Sequence, residues 1–191
     1  MTDSLGDVVP IDLPGRLPEP SLAELPAGTL VELTGRVFSL RDASAARLAA
    51  SLERGEDPPV PLAGQVMYAV GPSPAQPGQI IGSAGPTTTA RMARFLPALF
   101  RAGVVAIIGK GELHGDDMAA FVRARAVYLA ATGGAGALLA KRITAASVVA
   151  YEDLGPEALF ALDLDAFPAV VVIDSTGRNF HEEARARWRS G

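Results

Sequence analysis

IGSAGPTTTARM, residues 81–92, brings a Gly-Pro turn, three consecutive threonines and an arginine into one short stretch. It reads as a strand end, a tight turn and the first turn of a helix. Pro86 has a fixed φ and no N–H, which suits a turn leading into a helix. Thr87 or Thr88 can act as N-cap, its hydroxyl taking an otherwise unbonded backbone N–H. Arg91 follows Thr87 by four residues, one helical turn on. Free N–H groups, hydroxyls and a guanidinium would then converge where a carboxylate or phosphate binds well. The alternative is a well-capped helix with a surface arginine.

Working outward, the flanking segments alternate between strand and helix. On the N-terminal side, residues 30–38 alternate in polarity and predict a strand. Residues 42–54 are rich in alanine and leucine and predict a helix with Asp42 as N-cap and Gly55 as C-cap. A proline-bearing loop (55–64), a strand (66–70), the loop GPSPAQPG (71–78) and a short strand at Ile80 and Ile81 lead into the motif. On its C-terminal side, Met92, Phe95, Leu96, Leu99 and Phe100 recur at helical spacing over 88–102. Residues 104–109 are a continuous apolar run, as in a strand covered on both faces. Lys110 follows between Gly109 and Gly111, either as a group delivered by that strand or as an exposed lysine in a glycine turn.

Further on, the pattern predicts a helix (116–123), a strand (126–130), a turn at Gly133 and Gly134 before a short helix, a strand (147–151), a helix (156–162) and a strand (169–173) closed by the turn DSTG. The Gly turn and helix start at 133–136 are a weak anion signal, short of a full G-x-G-x-x-G. There is no internal repeat. Interleaved strands and helices predict a mixed α/β domain with a layered sheet core. Residues 1–28, with five prolines, read as an N-terminal arm in which Val8 to Leu13 adds an edge strand or lies on a partner. Residues 29–180 form the domain, and the basic tail 181–191, with Trp188, is a surface helix or interface element.

Composition limits the function classes. Of 191 residues, 49% are hydrophobic and 20% charged, enough apolar material for a core and against disorder. A net charge of -4 without a basic run disfavours nucleic acid. The absence of cysteine excludes disulfides and thiolate ligation of a metal or cluster by this chain. The start, MTDSLGDVVPIDLPG, does not resemble a signal peptide, and no stretch is long and apolar enough to span a bilayer. A soluble cytoplasmic protein is the expectation. His114 and His181 stand apart, and neither an H-x-x-x-H nor a G-x-S-x-G pattern occurs.

Six segments carry a resemblance: LTGRVFSLRDA (33–43), YAVGPSPAQPGQIIGSAGPTTTARM (68–92), IIGKG (107–111), GGAGALLAK (133–141), VVAYEDLGPEAL (148–159) and DAFPAVVVIDSTG (165–177). In order and spacing they resemble the beta subunit, or C-terminal half, of class I fumarate hydratases and L-tartrate dehydratases, the iron–sulfur hydro-lyases. The resemblance implies a swivelling β/β/α domain. It also implies a separate alpha subunit or half whose three cysteines bind a [4Fe–4S] cluster, with the open iron a Lewis acid toward the substrate. Matched motif by motif, substrate-contacting residues fall on Arg41, Thr87, Thr88, Arg91 and Lys110. Arg41 and Arg91 would clamp carboxylates. Thr87 would be the base, its hydroxyl made more acidic by a nearby cation such as Lys110.

The implied reaction is reversible dehydration of a 2-hydroxy dicarboxylic acid, malate/fumarate first and tartrate next. The implied assembly is an α₂β₂ hetero-oligomer, or a homodimer when the chain is alone. The chain also departs from the family. Ala45 stands where a histidine is usual, Ala93 where an aspartate is usual, and Leu113 and His114 where an arginine and a serine are usual. These departures leave two readings: a catalytic beta subunit, or a non-catalytic paralogue that binds a small carboxylate or a partner.

Overall fold

The computed structural model describes residues 7–13 and 21–189. The rest of the expected N-terminal arm and the last two residues of the expected tail lie outside them. Among these residues seven strands are formed: β1 (Val9–Leu13), β2 (Leu30–Leu40), β3 (Val66–Ala69), β4 (Ala106–Gly109), β5 (Val127–Ala130), β6 (Ile143–Ala150) and β7 (Leu159–Ile173). The helices are α1 (Asp42–Glu53), α2 (Leu96–Arg101), α3 (Gly115–Ala124), α4 (Gly136–Ala140) and α5 (Phe180–Arg189). Among the described residues no helix is long and apolar enough to cross a membrane.

The pairings form a ring. β2, β3, β4 and β5 run parallel in sequence order, and β7 returns antiparallel to both β5 and β2. β1 lies parallel to the first half of β2 and β6 antiparallel to β7, so among the described residues these two are the sheet's edges. Because β7 occupies one side of β2 along its length, β1 and β3 share the other side, one after the other.

Strand alternation then generates two cores. Val66 and Tyr68 of β3, Ala106 and Ile108 of β4, and Val127 and Leu129 of β5 point into the ring, with Leu33, Leu164 and Phe167. Met67, Ile107 and Tyr128 point outward beneath α1, α2 and α3, meeting Leu48, Leu99 and Phe121. Burial on both faces explains the continuous apolar runs of β3 to β5. The architecture is therefore α/β with a mixed sheet, as the sequence predicts, layered β/β/α. Tyr68 and Phe167 meet edge to face inside the ring at 5.2 Å, a geometry worth about 0.5–1.5 kcal/mol beyond burial.

Several local expectations fail. Ile80 and Ile81 form no strand. Residues 88–102 are not one helix: two 3₁₀ turns, Thr89–Arg91 and Ala93–Phe95, precede the short α2. Residues 156–162 are not a helix either. A 3₁₀ segment, Glu152–Glu157, ends there, and Leu159 starts β7, which pairs with β2 and β6. Proline and good helix formers suggested a helix, but sheet pairing prevails. Asp42 is the first residue of α1, and Arg41 holds the N-cap position. Gly55 does follow the helix with φ +74°, as a C-terminal glycine should. The tail helix α5 buries no residue, and Trp188 is 89% exposed.

Candidate active site

The 86–89 segment is threaded between the C-terminal ends of β3 and β4. Thr87 N–H donates to Ala69 O at 2.6 Å, Lys110 N–H to Thr87 O at 3.2 Å, and Thr89 N–H to Lys110 O at 3.0 Å. Two isolated bridges, Val70 with Pro86 and Thr88 with Lys110, flank these bonds. The three threonines thus extend the sheet before the first helical turn begins. The N–H groups of Thr87 and Thr89 are already bonded, and Thr87 is not on a helix with Arg91. The expected convergence of free N–H groups at a helix start is corrected accordingly: these two are not free for an anion.

The glycines around Lys110 follow from this threading. A Cβ on Gly109 would lie 1.9 Å from Thr89 Oγ1, and one on Gly111 would lie 3.3 Å from Thr88 Cγ2 in a backbone of φ +87°. Tyr128 Oη closes the strand end by donating to Gly111 O at 3.0 Å, and burial pushes this phenol up to about 12. Tyr68 Oη donates to Ala84 O at 2.5 Å, anchoring the stretch just before the threonines to the ring interior.

Lys110 is half-buried and reaches over the Gly133 turn. Its Nζ would stand 4.0 Å from a Cβ at Gly133. It borders an open cleft of about 540 Å³, lined also by Ser83, Pro86, Gly134 and Pro156, and among the described residues that line it Lys110 is the single charged one. The start of α4 supports the motif: Ala84 N–H donates to Gly136 O at 3.1 Å, and a Cβ on Gly136 would lie 2.4 Å from Ser83 Oγ.

The arginines form a second group. Arg41, at the end of β2, packs on Gly71, where a Cβ would approach its Nη1 to 2.7 Å and the Pro156 carbonyl oxygen to 3.1 Å. Gly71 and Pro156 both line the cleft, so Arg41 stands behind its wall. Arg41 Nη2 donates to Glu157 Oε1 at 3.3 Å, and its buried Nε makes no hydrogen bond. Arg91 Nε donates to Asp42 Oδ1 at 3.1 Å, and its Nη2 lies 3.1 Å from Oδ2, which is buried without a hydrogen bond. Asp42 Oδ2 also lies 3.6 Å from Arg41 Nε. Glu157 Oε2 accepts from Ala43 N–H at 2.8 Å and so caps α1. Two guanidiniums are therefore balanced by two carboxylates in the order Glu157, Arg41, Asp42, Arg91, and Lys110 stands outside this balance.

Threading brings Thr87, Thr88 and Lys110 together, and Asp42 joins Arg41 to Arg91. Two residues in this network were not foreseen. Asp42 was expected as a cap, and Glu157 was expected inside a helix. The signal for Glu157 was YEDLGPEA itself, but its partner Arg41 lies 116 residues earlier. At the family departures, Ala45 and Leu113 are buried in the helix-side core and Ala93 is also buried, whereas His114 is exposed and 3.3 Å from Glu112.

This chain's residues do not fit an iron–sulfur cluster. It has no cysteine, and among the described residues no three His, Asp or Glu side chains are grouped to hold a metal.

Comparison with known proteins agrees with the motif resemblance. The family profile described as Fumarase C-terminus matches residues 1–184. The aerobic class I fumarate hydratase of Salmonella typhimurium is 30% identical over 185 residues, 95% of this chain and 32% of that protein. The putative L(+)-tartrate dehydratase subunit beta of Methanocaldococcus jannaschii is 31% identical over 178 residues, 90% of this chain and 91% of that protein. The putative class I fumarate hydratase of Geobacillus stearothermophilus is 33% identical over 187 residues, 35% of its length. The chain thus spans about a third of the fumarate hydratases it matches and nearly all of the tartrate dehydratase subunit. On the extent of the profile match and of the subunit match, the chain belongs to the Fumarase C-terminus family.

Proposed function

We propose that this chain is the beta subunit of a hydro-lyase that reversibly dehydrates a 2-hydroxy dicarboxylic acid, malate/fumarate first and tartrate next. A partner alpha subunit carrying a [4Fe–4S] cluster completes the site. The observation that carries this reading is the cleft at the ends of β3 and β4, which among the described residues has Lys110 as its one charged lining residue and Arg41 behind its wall. The relatives named fumarate hydratase and tartrate dehydratase subunit beta support the same class of chemistry.

In this reading the substrate's two carboxylates are bound by Arg41 and Arg91. Planar guanidiniums suit bidentate pairing with carboxylates. To engage fully, Arg91 exchanges Asp42 for substrate, and Asp42 holds it near its working position until then. Removing the proton beside a carboxylate builds negative charge on that carboxylate. A fixed cation at Lys110 lowers the energy of this charge more in the transition state than in the ground state. Thr88 contributes a hydroxyl to substrate binding. Thr87 takes the proton, its alkoxide favoured by the neighbouring lysine cation. The group that acts on the leaving hydroxyl belongs to the alpha subunit, since this chain has no ligands for it.

The test is anaerobic co-purification with the alpha subunit and assay on malate, fumarate and both tartrate enantiomers. Thr87→Ala and Arg91→Ala are measured in parallel. Turnover of one acid, lost in both variants, is the expected result. A stable complex that binds a dicarboxylate without turnover would instead favour a non-catalytic carboxylate-binding paralogue, in keeping with the apolar Ala45 and Ala93. The absence of any complex would favour a partner-binding module of another kind.

A further inference from the structure

The cleft beside Lys110 is short of side chains that can hold a substrate hydroxyl. Among the described residues it is lined by four glycines, four prolines, two serines and the lysine. Glycine has no side-chain donor or acceptor, and proline lacks even the N–H. Neutral side-chain hydrogen bonding therefore rests on Ser73 and Ser83. Both residues are exposed, and neither hydroxyl has a hydrogen-bond partner among the described residues.

The fold places these two serines together. Ser73 N–H donates to Ser83 O at 3.0 Å. Each side chain lies against a glycine. A Cβ on Gly82 would stand 2.6 Å from Ser73 Oγ, and one on Gly136 would meet Ser83 Oγ closer still. A larger residue at either glycine would push the hydroxyl away, so both positions are fitted to it.

The function proposed above, on which this step rests, says what these hydroxyls face. Dehydration takes hydroxide from one carbon and a proton from the next, leaving a C=C bond and water. In that reading the leaving hydroxyl is turned to the alpha subunit. The proton goes to Thr87, so the carbon that loses it is turned to this chain. In malate that carbon bears a second hydrogen, and in tartrate it bears a hydroxyl. This chain therefore surrounds the group in which the two acids differ. We infer that Ser73 and Ser83 are a specificity-determining pair: their hydroxyls bind the second hydroxyl of a 2,3-dihydroxy dicarboxylate and so admit that acid alongside malate. A hydroxyl both donates and accepts, so one serine can donate to the substrate oxygen while the other accepts its proton. An enclosed pair would be left unsatisfied by malate and would reject it. In an open cleft water serves the serines instead, and both acids are taken.

The experiment compares wild type, Ser73→Ala, Ser83→Ala and the double variant, each in complex with the alpha subunit, with circular dichroism to check folding. kcat/KM is measured on malate and on both tartrate enantiomers. Each single variant should lower the tartrate-to-malate ratio about tenfold for the accepted enantiomer, through KM, and the double variant more. Malate turnover with a ratio that no variant moves would overturn the inference and leave the proposed function standing. An equal loss on both acids would do the same, because a merely structural defect spares the ratio. A wild type that uses malate and neither tartrate would also overturn it. No turnover of any acid by the wild type would count against the proposed function instead. Isothermal titration of the same acids into the full chain and its variants then decides: a tartrate-to-malate affinity ratio lowered by the serine variants supports the pair, and an unmoved ratio or no tartrate binding overturns it.

Discussion

Arg91 and Asp42 form an ion pair in which Nε donates to Oδ1 at 3.1 Å, while Nη2 lies 3.1 Å from a buried Oδ2 that accepts no hydrogen bond. Arg41 Nε lies 3.6 Å from the same Oδ2, and on the proposed function a substrate carboxylate displaces Asp42 from the Arg91 guanidinium. Asp42→Ala leaves two neighbouring cations with Glu157 as their remaining acidic partner and releases Arg91, already 56% exposed, to solvent. In the assembled enzyme KM should rise about tenfold, some 1.4 kcal/mol, with a smaller change in kcat. Steady-state kinetics decides it. A fall in kcat at constant KM would mean that Asp42 acts on the transition state.

Arg91→Lys keeps the charge but loses the fork. A lysine ammonium is a point charge that cannot match a carboxylate through two parallel bonds. The variant should lose about 10- to 100-fold in kcat/KM, and Arg91→Ala more. Equal activity of the lysine variant and wild type would show that charge alone suffices.

Gly109→Ala tests the threading of the threonines. The added methyl would stand 1.9 Å from Thr89 Oγ1 and 3.5 Å from Ala69 Cβ, so the 3₁₀ turn must shift away from β4. The expected cost is about 1–3 kcal/mol of stability by urea denaturation, with most of the activity lost because Thr87 and Lys110 hang from the same bonds. An unaltered denaturation midpoint would mean that the turn moves freely.

Asp174 gives the acid limb of stability. Burial acts to raise its carboxyl. Hydrogen bonds outweigh that effect: Thr176 Oγ1 donates at 2.7 Å and the N–H groups of Thr176, Ala27 and Arg178 at 3.0, 3.1 and 3.1 Å, holding the group below the usual carboxylate range. A depressed folded value means that the stabilisation is full above the ordinary carboxylate range and is lost as pH falls through the folded value, below about pH 4. Asp174→Asn should cost about 1–3 kcal/mol at neutral pH and flatten the acid limb in urea titrations between pH 2 and 7. An acid limb of undiminished slope in the variant would assign it to other carboxylates.

Strands buried on both faces were readable in advance because a continuous apolar run has few other uses in so short a segment; β4 and β5 are the clear cases. The Gly-Lys-Gly step and the run of threonines also stood out in the sequence, since lysine between glycines at a strand end is unusual, and the structure brings Thr87, Thr88 and Lys110 together. The threading itself was not readable. Pro-Thr-Thr-Thr satisfies local rules for a helix start equally well, and only the free ends of β3 and β4, distant in sequence, turn it into a strip of sheet. Glu157 shows the same limit. Its neighbour Pro156 suits a first helical turn and Ala158 and Leu159 favour a helix by propensity, but Leu159 is wholly buried in the helix-side core and pairs with Ala150. Asp42 was misassigned because a helix-start aspartate normally bonds its own backbone, and nothing local announces two arginines arriving from elsewhere.

The ring has a consequence for how this protein is made. Its closure depends on β7, whose residues Leu162 and Val170 pair with Val37 and Leu30, more than 120 positions earlier. A chain emerging from the ribosome therefore carries β2 and β5 with unsatisfied edges until its last third has been synthesised. Long-range pairing of this kind slows folding and prolongs the exposure of sticky strands. Nascent chains halted before residue 159 should bind holdase chaperones and remain protease-sensitive, and release should follow within a few residues of completing β7.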